Sequence, residues 1–408
     1  MKILSRSFKA LWIGEIVSEF GGAAGGIINS LLLYELTESK EWMGALLLIY
    51  FIPSLVLQSI SAPFLNDVAK EKVLPFIQLI RSFAYLIPFI IHFIGTDTGA
   101  ILGLIVLQYL LGMVQPIYAS LSFSLLPDIC KENELIQANV LLDGTIRLMS
   151  FIAPGATSLL LLVSPLHVVY VMSSALFFLS FLSLTHLAPT KRLEKKIWTK
   201  KLWWSEMRTG YKLFFCYPTL FRLTFLSSLV QFAVGTTMVI SVPFIRGELR
   251  GECWEYAVFS ASFPIGYVIG IFLLTRLPKN AVTMYIGLIG GGLSFILLLF
   301  VHSVPLAWLC ELVGGMLFPW FNAQSAAIFQ REAPRDRLSQ LSSVRLLLLR
   351  ITMPMGILFA SSTFLDLSVR HLYAAIGAVI VLPGIYYLCT SLFPFTSINA
   401  SGKASTKD

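Results

Sequence analysis

The sequence predicts an all-α integral membrane protein whose helices form two six-helix bundles. Three observations carry that reading. Apolar runs of roughly twenty residues, each long enough to cross a bilayer core as a helix, recur about twelve times and are divided by a basic stretch from Lys191 to Lys212. Hydrophobic residues make up 56% of the chain and charged residues 13%, with a mean hydropathy of +0.79; the charged share is about half that of an ordinary soluble domain. Lysine and arginine also fall in alternate connections, the pattern that orients membrane helices.

The first bundle is read over 1–187, with spans at 9–34, 42–65, 73–94, 100–126, 139–163 and 166–187. The opening run is too long for a signal-peptide core and lacks a small-residue cleavage site, so it is expected to insert as a helix. Its Gly21-Gly22-Ala23-Ala24-Gly25-Gly26 cluster, like Gly290-Gly291-Gly292 later, lets neighbouring helices approach closely. Pro53, Pro88, Pro116 and Pro154 punctuate the next spans, and Pro264, Pro319, Pro354 and Pro383 punctuate their counterparts. Such prolines mark kinks whose freed backbone groups neighbours satisfy. A basic linker occupies 188–218, where lysines interleave with Trp198, Trp203 and Trp204. That composition suits either a helix lying at an anionic headgroup surface or a plain connection that fixes topology. Spans at 219–245, 255–275, 281–302, 305–329, 343–365 and 371–394 form the second bundle over 219–394, and a polar tail occupies 395–408.

Lys2, Arg6, Lys9, Lys70, Lys72, Lys131, the linker cluster, Arg276, Lys279, Arg331, Arg335, Arg337, Lys403 and Lys407 share one set of connections, whereas the other holds only Lys40, Arg246, Arg250 and Arg370. By the positive-inside rule the first set is cytoplasmic, both termini with it, in a multi-pass cell-membrane protein. The net charge of +8 therefore reports orientation, and no nucleic-acid partner is expected. Cys130, Cys216, Cys253, Cys310 and Cys389 show no CxxC or Cys/His ligand spacing, so neither metal nor cofactor is expected. The helices leave no room for a soluble catalytic domain, and HExxH and GxSxG constellations are missing, which disfavours an enzyme.

The halves echo each other where the fourth span of each ends. Leu125 to Asn139 and Ile328 to Gln340 each hold a proline, mixed charges and re-entry into an apolar helix, and the helices that follow carry Pro154-Gly155 and Pro354-Met355-Gly356. Leu126-Pro127-Asp128, then Leu135 and Gln137-Ala138-Asn139, together with Gly14 to Ser18, Thr37 to Ser39 and Met207 to Arg222, closely resemble the major facilitator superfamily, in its branch of macrolide-efflux proteins and the enterobactin exporter. The resemblance implies a major facilitator fold, with parallel six-helix repeats around a central binding cavity.

Some family elements are altered. In the loop after the second span, Leu65, Asp67 and Lys72 match the superfamily pattern, while its leading glycine and first arginine are lost. Gln108, in Gln108-x-x-x-Gly112, stands where proton-coupled members place an arginine, and the antiporter-type glycine motif of the fifth helix survives only as Ala153-Pro154-Gly155.

A charged side chain inside a span usually faces a cavity or a partner. Glu15 and Glu19 lie four apart on the first helix, hence on one face and about 6 Å apart along the axis. Such a pair is a candidate proton-coupling element; the alternative places Glu15 near cytoplasmic water and pairs Glu19 with an arginine. Glu311 in the tenth span is a further coupling candidate, or a carboxylate in a hydrated outer vestibule. Asp143 and Arg147 stand at i, i+4 spacing and can neutralise each other, with Arg147 deep enough to answer Glu19 or an anionic substrate. Arg345 and Arg350 are expected to pair with carboxylates at the inner end. Asp67, Lys72 and Asp143 are the candidate cytoplasmic gate, and Asn29, Gln108, Gln115, Tyr118, Gln231, Trp320, Asn322 and Gln324 are candidate cavity lining or interhelical glue.

The function expected is secondary active transport, by alternating access, of a hydrophobic or amphipathic drug-like or macrolide-like molecule out of the cell in exchange for protons, by a monomer. A siderophore exporter, a small-molecule importer of the same fold, and a non-transporting sensor or scaffold are the alternatives.

Overall fold

The computed structural model describes residues 5–37, 40–92, 96–161, 163–189, 199–361 and 367–392. Among them are thirteen α-helices and no strand. The first six are α1 (Arg6–Thr37), α2 (Lys40–Ser61), α3 (Lys70–His92), α4 (Asp97–Ile129), α5 (Leu135–Leu161) and α6 (His167–Leu184). After α7 (Lys200–Cys216) come α8 (Pro218–Val242), α9 (Cys253–Leu274), α10 (Ala281–Leu297), α11 (Val304–Glu332), α12 (Leu338–Ser361) and α13 (Val369–Leu392). Helices α1–α6 pack on one another, as do α8–α13, and the two bundles meet where α2, α4 and α5 face α9, α11 and α12. The tail at 395–408 and the start of the linker, with Trp198, lie outside the described residues.

By length and composition ten of the described helices, α3–α6 and α8–α13, can cross a membrane. With α1 and α2 they make the twelve of the two bundles. Their outer faces carry large apolar side chains, with Phe83 61%, Phe272 67% and Leu382 67% exposed. Water would penalise such a belt, and lipid accepts it.

Glycines set the closest helix contacts, and they do so in matching places in both halves. A Cβ on Gly112 of α4 would lie 2.4 Å from Tyr50 O of α2, and in the second half one on Gly266 of α9 would lie 2.0 Å from Leu312 O of α11, while Gly315 of α11 meets Phe263 O of α9 at 2.2 Å. Helices α8 and α12 clasp similarly through Gly235 and Gly356, where an added Cβ would lie 2.0 Å from a carbonyl oxygen of the other helix. Only a missing side chain permits such approach. Serines supplement it: Ser173, Ser180 and Ser183 of α6 donate to the carbonyls of Gly21, Gly14 and Ala10 at 3.0, 2.8 and 2.7 Å, fixing the helix that carries Glu15 and Glu19.

Helix ends differ from the sequence reading. Leu126-Pro127-Asp128 was expected in a loop after 126, yet α4 continues through it to Ile129, and α5 begins at Leu135 rather than 139. Pro127 lacks the N–H that would bond the Phe123 carbonyl. That carbonyl instead accepts from Gln330 Nε2 of α11 at 3.0 Å. Helix α11 likewise runs to Glu332 rather than 329, and α12 starts at Leu338 rather than 343.

Part of the linker is itself a helix. Thr199 caps α7 by accepting from the Leu202 N–H at 3.2 Å. The helix straps both halves: Trp203 Nε1 donates to Ile60 O of α2 at 3.1 Å, and Gln340 Nε2 of α12 donates to Glu206 O at 2.8 Å. The Arg337 guanidinium also pairs with the Glu206 carboxylate.

Candidate functional site

A cavity of about 280 Å³ lies between the bundles, walled by α1, α4 and α5 on one side and α8, α11 and α12 on the other. Helical spacing brings Glu15 and Glu19 to one wall. Glu15 is 6% exposed and its carboxylate accepts from Ser122 Oγ of α4 at 3.0 Å. The expectation that Glu15 lies near water is therefore corrected: it is the deeper of the two, and Glu19 is the half-buried one. Behind the pair, Arg81 of α3 is buried, donates to Gln78 Oε1 at 3.1 Å and lies over the rings of Tyr118 and Phe177 at 5.2 and 5.1 Å. The sequence reading passed over Arg81, although a lone arginine inside an apolar run was the signal for it.

The opposite corner holds a polar cluster that joins the halves. Asp143 and Arg147 approach to 3.8 Å, as their spacing predicts. The Tyr267 hydroxyl of α9 donates to Asp143, Asn322 Nδ2 of α11 donates to that hydroxyl at 3.2 Å, and Arg147 lies over the Tyr267 ring at 5.5 Å. The partner of Arg147 is thus Asp143. Gln115, Tyr118, Gln231 and Asn322 also line the cavity.

Four sequence candidates fall elsewhere. Asn29, buried on α1, and Gln108, half-buried on α4, line neither of the two large cavities; Trp320 Nε1 donates to Gly270 O at 3.1 Å and Gln324 Nε2 to Trp320 O at 2.9 Å, so both serve packing in the second half. Arg345 overturns an expectation in the other direction. No carboxylate of the described residues lies within 4 Å of it; it is 6% exposed, 3.4 Å from Ser227 Oγ, and sandwiched by Phe329 and Phe123 at 4.8 and 5.3 Å. The early start of α12 carries it two turns into the helix and onto the cavity wall. Arg350 reaches the Ser54 hydroxyl of α2 instead of a carboxylate.

The end of the cavity nearer α7 is shut by hydrogen bonds between the halves. Gln58 Nε2 donates to Ser343 Oγ at 3.0 Å, and Ser343 Oγ to Gln58 O at 2.8 Å. The Gln340 N–H donates to Asn66 Oδ1 at 3.0 Å; Ser124 and Ser339 meet at 2.9 Å; Asn139 Nδ2 donates to Gln330 Oε1 at 2.7 Å. Asp67 closes the turn Phe64–Asn66 through its backbone N–H, beside this latch. Lys72 is exposed, and the buried lysine of this region is Lys70, 2.9 Å from Asp128 and bonded to Ser124 O at 2.9 Å.

A second cavity, of about 400 Å³, adjoins the first at Arg147, Val230 and Asn322 and runs into the second bundle between α8, α9 and α11, with Glu311 on its wall.

This architecture has established relatives. A family model described as Major Facilitator Superfamily matches residues 11–357. The chain belongs to that superfamily. It is a multi-pass membrane transporter. The uncharacterized MFS-type transporter YvqJ of Bacillus subtilis (strain 168) is 22% identical over 401 residues, covering 94% of this chain and 92% of its own. The enterobactin exporter EntS of Shigella boydii serotype 18 (strain CDC 3083-94 / BS512) is 24% identical over 268 residues, 62% of each chain, in keeping with the branch read from the sequence. Among solved structures, a bacterial homologue of the iron transporter ferroportin in an outward-facing state superposes with a TM-score of 0.77 at 16% identity, covering 94% of this chain and 99% of that one.

Proposed function

We propose that this transporter exports a hydrophobic or amphipathic small molecule across the cell membrane in exchange for protons. The observation that carries the reading is the Glu15 and Glu19 pair, set in the wall of a cavity shut at one end by bonds between the halves. Two carboxylates on adjacent turns of a buried helix resist simultaneous ionisation, so proton uptake there responds to the water that reaches the cavity. The end bearing α7 is the cytoplasmic one, because Lys70, Lys131, Lys200, Lys201, Arg331 and Arg335 gather there. Both termini then face the cytoplasm, the latch is the cytoplasmic gate, and alternating access opens it as the halves rock. The protein acts as a monomer, since the cavity is complete within one chain.

An anionic siderophore is the second reading. It is favoured by the likeness to a protein named as an enterobactin exporter, and by Arg345, a cavity arginine with no carboxylate within 4 Å among the described residues.

The deciding experiment is a substrate screen in inverted vesicles with and without an imposed pH gradient. At least one amphipathic compound should accumulate with the gradient and leak out when a protonophore dissipates it. Accumulation that ignores the gradient would remove proton exchange.

Orientation is checked separately with an impermeant thiol reagent. Exposed Cys216, at the end of α7, should resist labelling in intact cells and react in inverted vesicles. Cys130 is a poor reporter, because burial pushes its thiol up to about 12 and little thiolate is present. Labelling of Cys216 in intact cells would invert the topology.

A further inference from the structure

From the second cavity we infer that this transporter holds a lipophilic organic cation in a chamber of the second bundle, with the Glu311 carboxylate as counter-ion. The inference rests on the transport reading and deepens it by naming a substrate class. Glu311 lies eight residues into the span of α11 and is 8% exposed. A carboxylate so placed ordinarily has a partner. Among the described residues, none with a cationic side chain lies within 4 Å of it, and no hydrogen bond to it is made. It opens instead onto the cavity of about 400 Å³, a size that suits a drug-like ligand.

The rest of the wall chooses the sign of the guest. Tyr256, Phe259 and Phe263 of α9, Phe295 of α10 and Phe318 of α11 surround the chamber. Aromatic faces carry negative electrostatic potential and attract organic cations, most strongly where water is excluded. Among the described residues the one cation of the chamber wall, Arg147, sits at the junction with the central cavity and is engaged by Asp143 and the Tyr267 ring. Charge compensated at one end and uncompensated at the other leaves Glu311 as the attracting group. Since Arg147, Val230 and Asn322 line both cavities, the chamber is reached from the transport path.

The test uses the purified full-length protein in detergent, without any gradient. Tetraphenylphosphonium, a permanent cation, and triphenylphosphine oxide, a neutral analogue, serve as probes, with binding followed by calorimetry. Glu311→Gln preserves volume and should weaken tetraphenylphosphonium by at least about tenfold, the loss expected for removing a partly desolvated charge contact, while leaving the neutral probe within about twofold. Tyr256→Leu should weaken both probes. Equal binding of the cation to parent and Glu311→Gln overturns the inference and leaves Glu311 a proton site; failure of the parent to bind tetraphenylphosphonium overturns it as well. Because no gradient is present, neither result depends on proton exchange, and the vesicle screen decides that question alone.

Discussion

Glu19→Gln is expected to abolish gradient-driven accumulation of substrate while leaving the protein folded. The amide matches the volume and neutrality of a protonated carboxyl, and Glu19 makes none of the hydrogen bonds that hold α1 to α6, which run through Ser173, Ser180 and Ser183. A gradient of one pH unit is worth about 1.4 kcal/mol per proton, roughly tenfold in substrate ratio at one-for-one exchange. Without a titrating group at this position the ratio should fall to about 1, since exchange then runs only downhill. Downhill counterflow of substrate should persist. Glu15→Gln should be milder: its amide carbonyl can still accept from Ser122, and Glu19, the half-buried member, remains to trade protons with the cavity. The measurement is uptake into inverted vesicles at fixed external pH with the internal pH varied. If Glu19→Gln concentrates substrate as well as the parent, coupling lies elsewhere in the chain.

How far these residues were legible in the sequence depended on how local their partners are. Glu15 with Glu19, and Asp143 with Arg147, are one helical turn apart, so spacing alone put each pair on a common face. The apolar runs marked the helices because lipid demands length and apolarity of every span. What failed was local punctuation. Pro127 and Pro334 read as loop markers, yet α4 runs through the former because Gln330, some two hundred positions away, takes up the carbonyl the proline frees. The same error set the start of α12 too late and turned Arg345 into an inner-end ion pair, when the longer helix puts it on the cavity wall. Glycine clusters announced close packing without naming partners: Gly25 faces the Tyr85 ring, and Gly292 faces Val381 and Ile380 of α13. The second chamber could not be read at all, since its aromatic wall comes from three helices whose apposition no spacing encodes.

Loosening the latch should move the population toward the state open at the α7 end. Gln58 is 1% exposed and Ser343 0%, so their reciprocal bonds are sheltered from water, and they join α2 to α12 across the interface between the halves. Gln340 performs the same service one turn earlier on α12, receiving Asn66 Nδ2 at 3.3 Å and tying α7 through Glu206 O. These contacts exist only while the α7 end is shut, so their loss weakens one state and leaves the other untouched. Each bond contributes about 0.5–1.5 kcal/mol net. Gln58→Ala and Gln340→Ala leave the main-chain bonds but remove two side-chain bonds across the interface, Gln58 Nε2 to Ser343 Oγ and Asn66 Nδ2 to Gln340 Oε1, and should therefore shift the equilibrium by about 1–3 kcal/mol, roughly five- to 150-fold. The shift is read with Ala326→Cys, a position on the cavity wall, in a background without native cysteines and with an impermeant thiol reagent added from the α7 side. Labelling should accelerate by about fivefold or more, given that each kcal/mol multiplies the open fraction several times, and turnover should slow because the closed state is revisited less often. Unchanged labelling with unchanged turnover would mean that the α7 end is held by the apolar contacts of Ala323, Ala327 and Leu135 beneath it, and that the polar latch only fixes register.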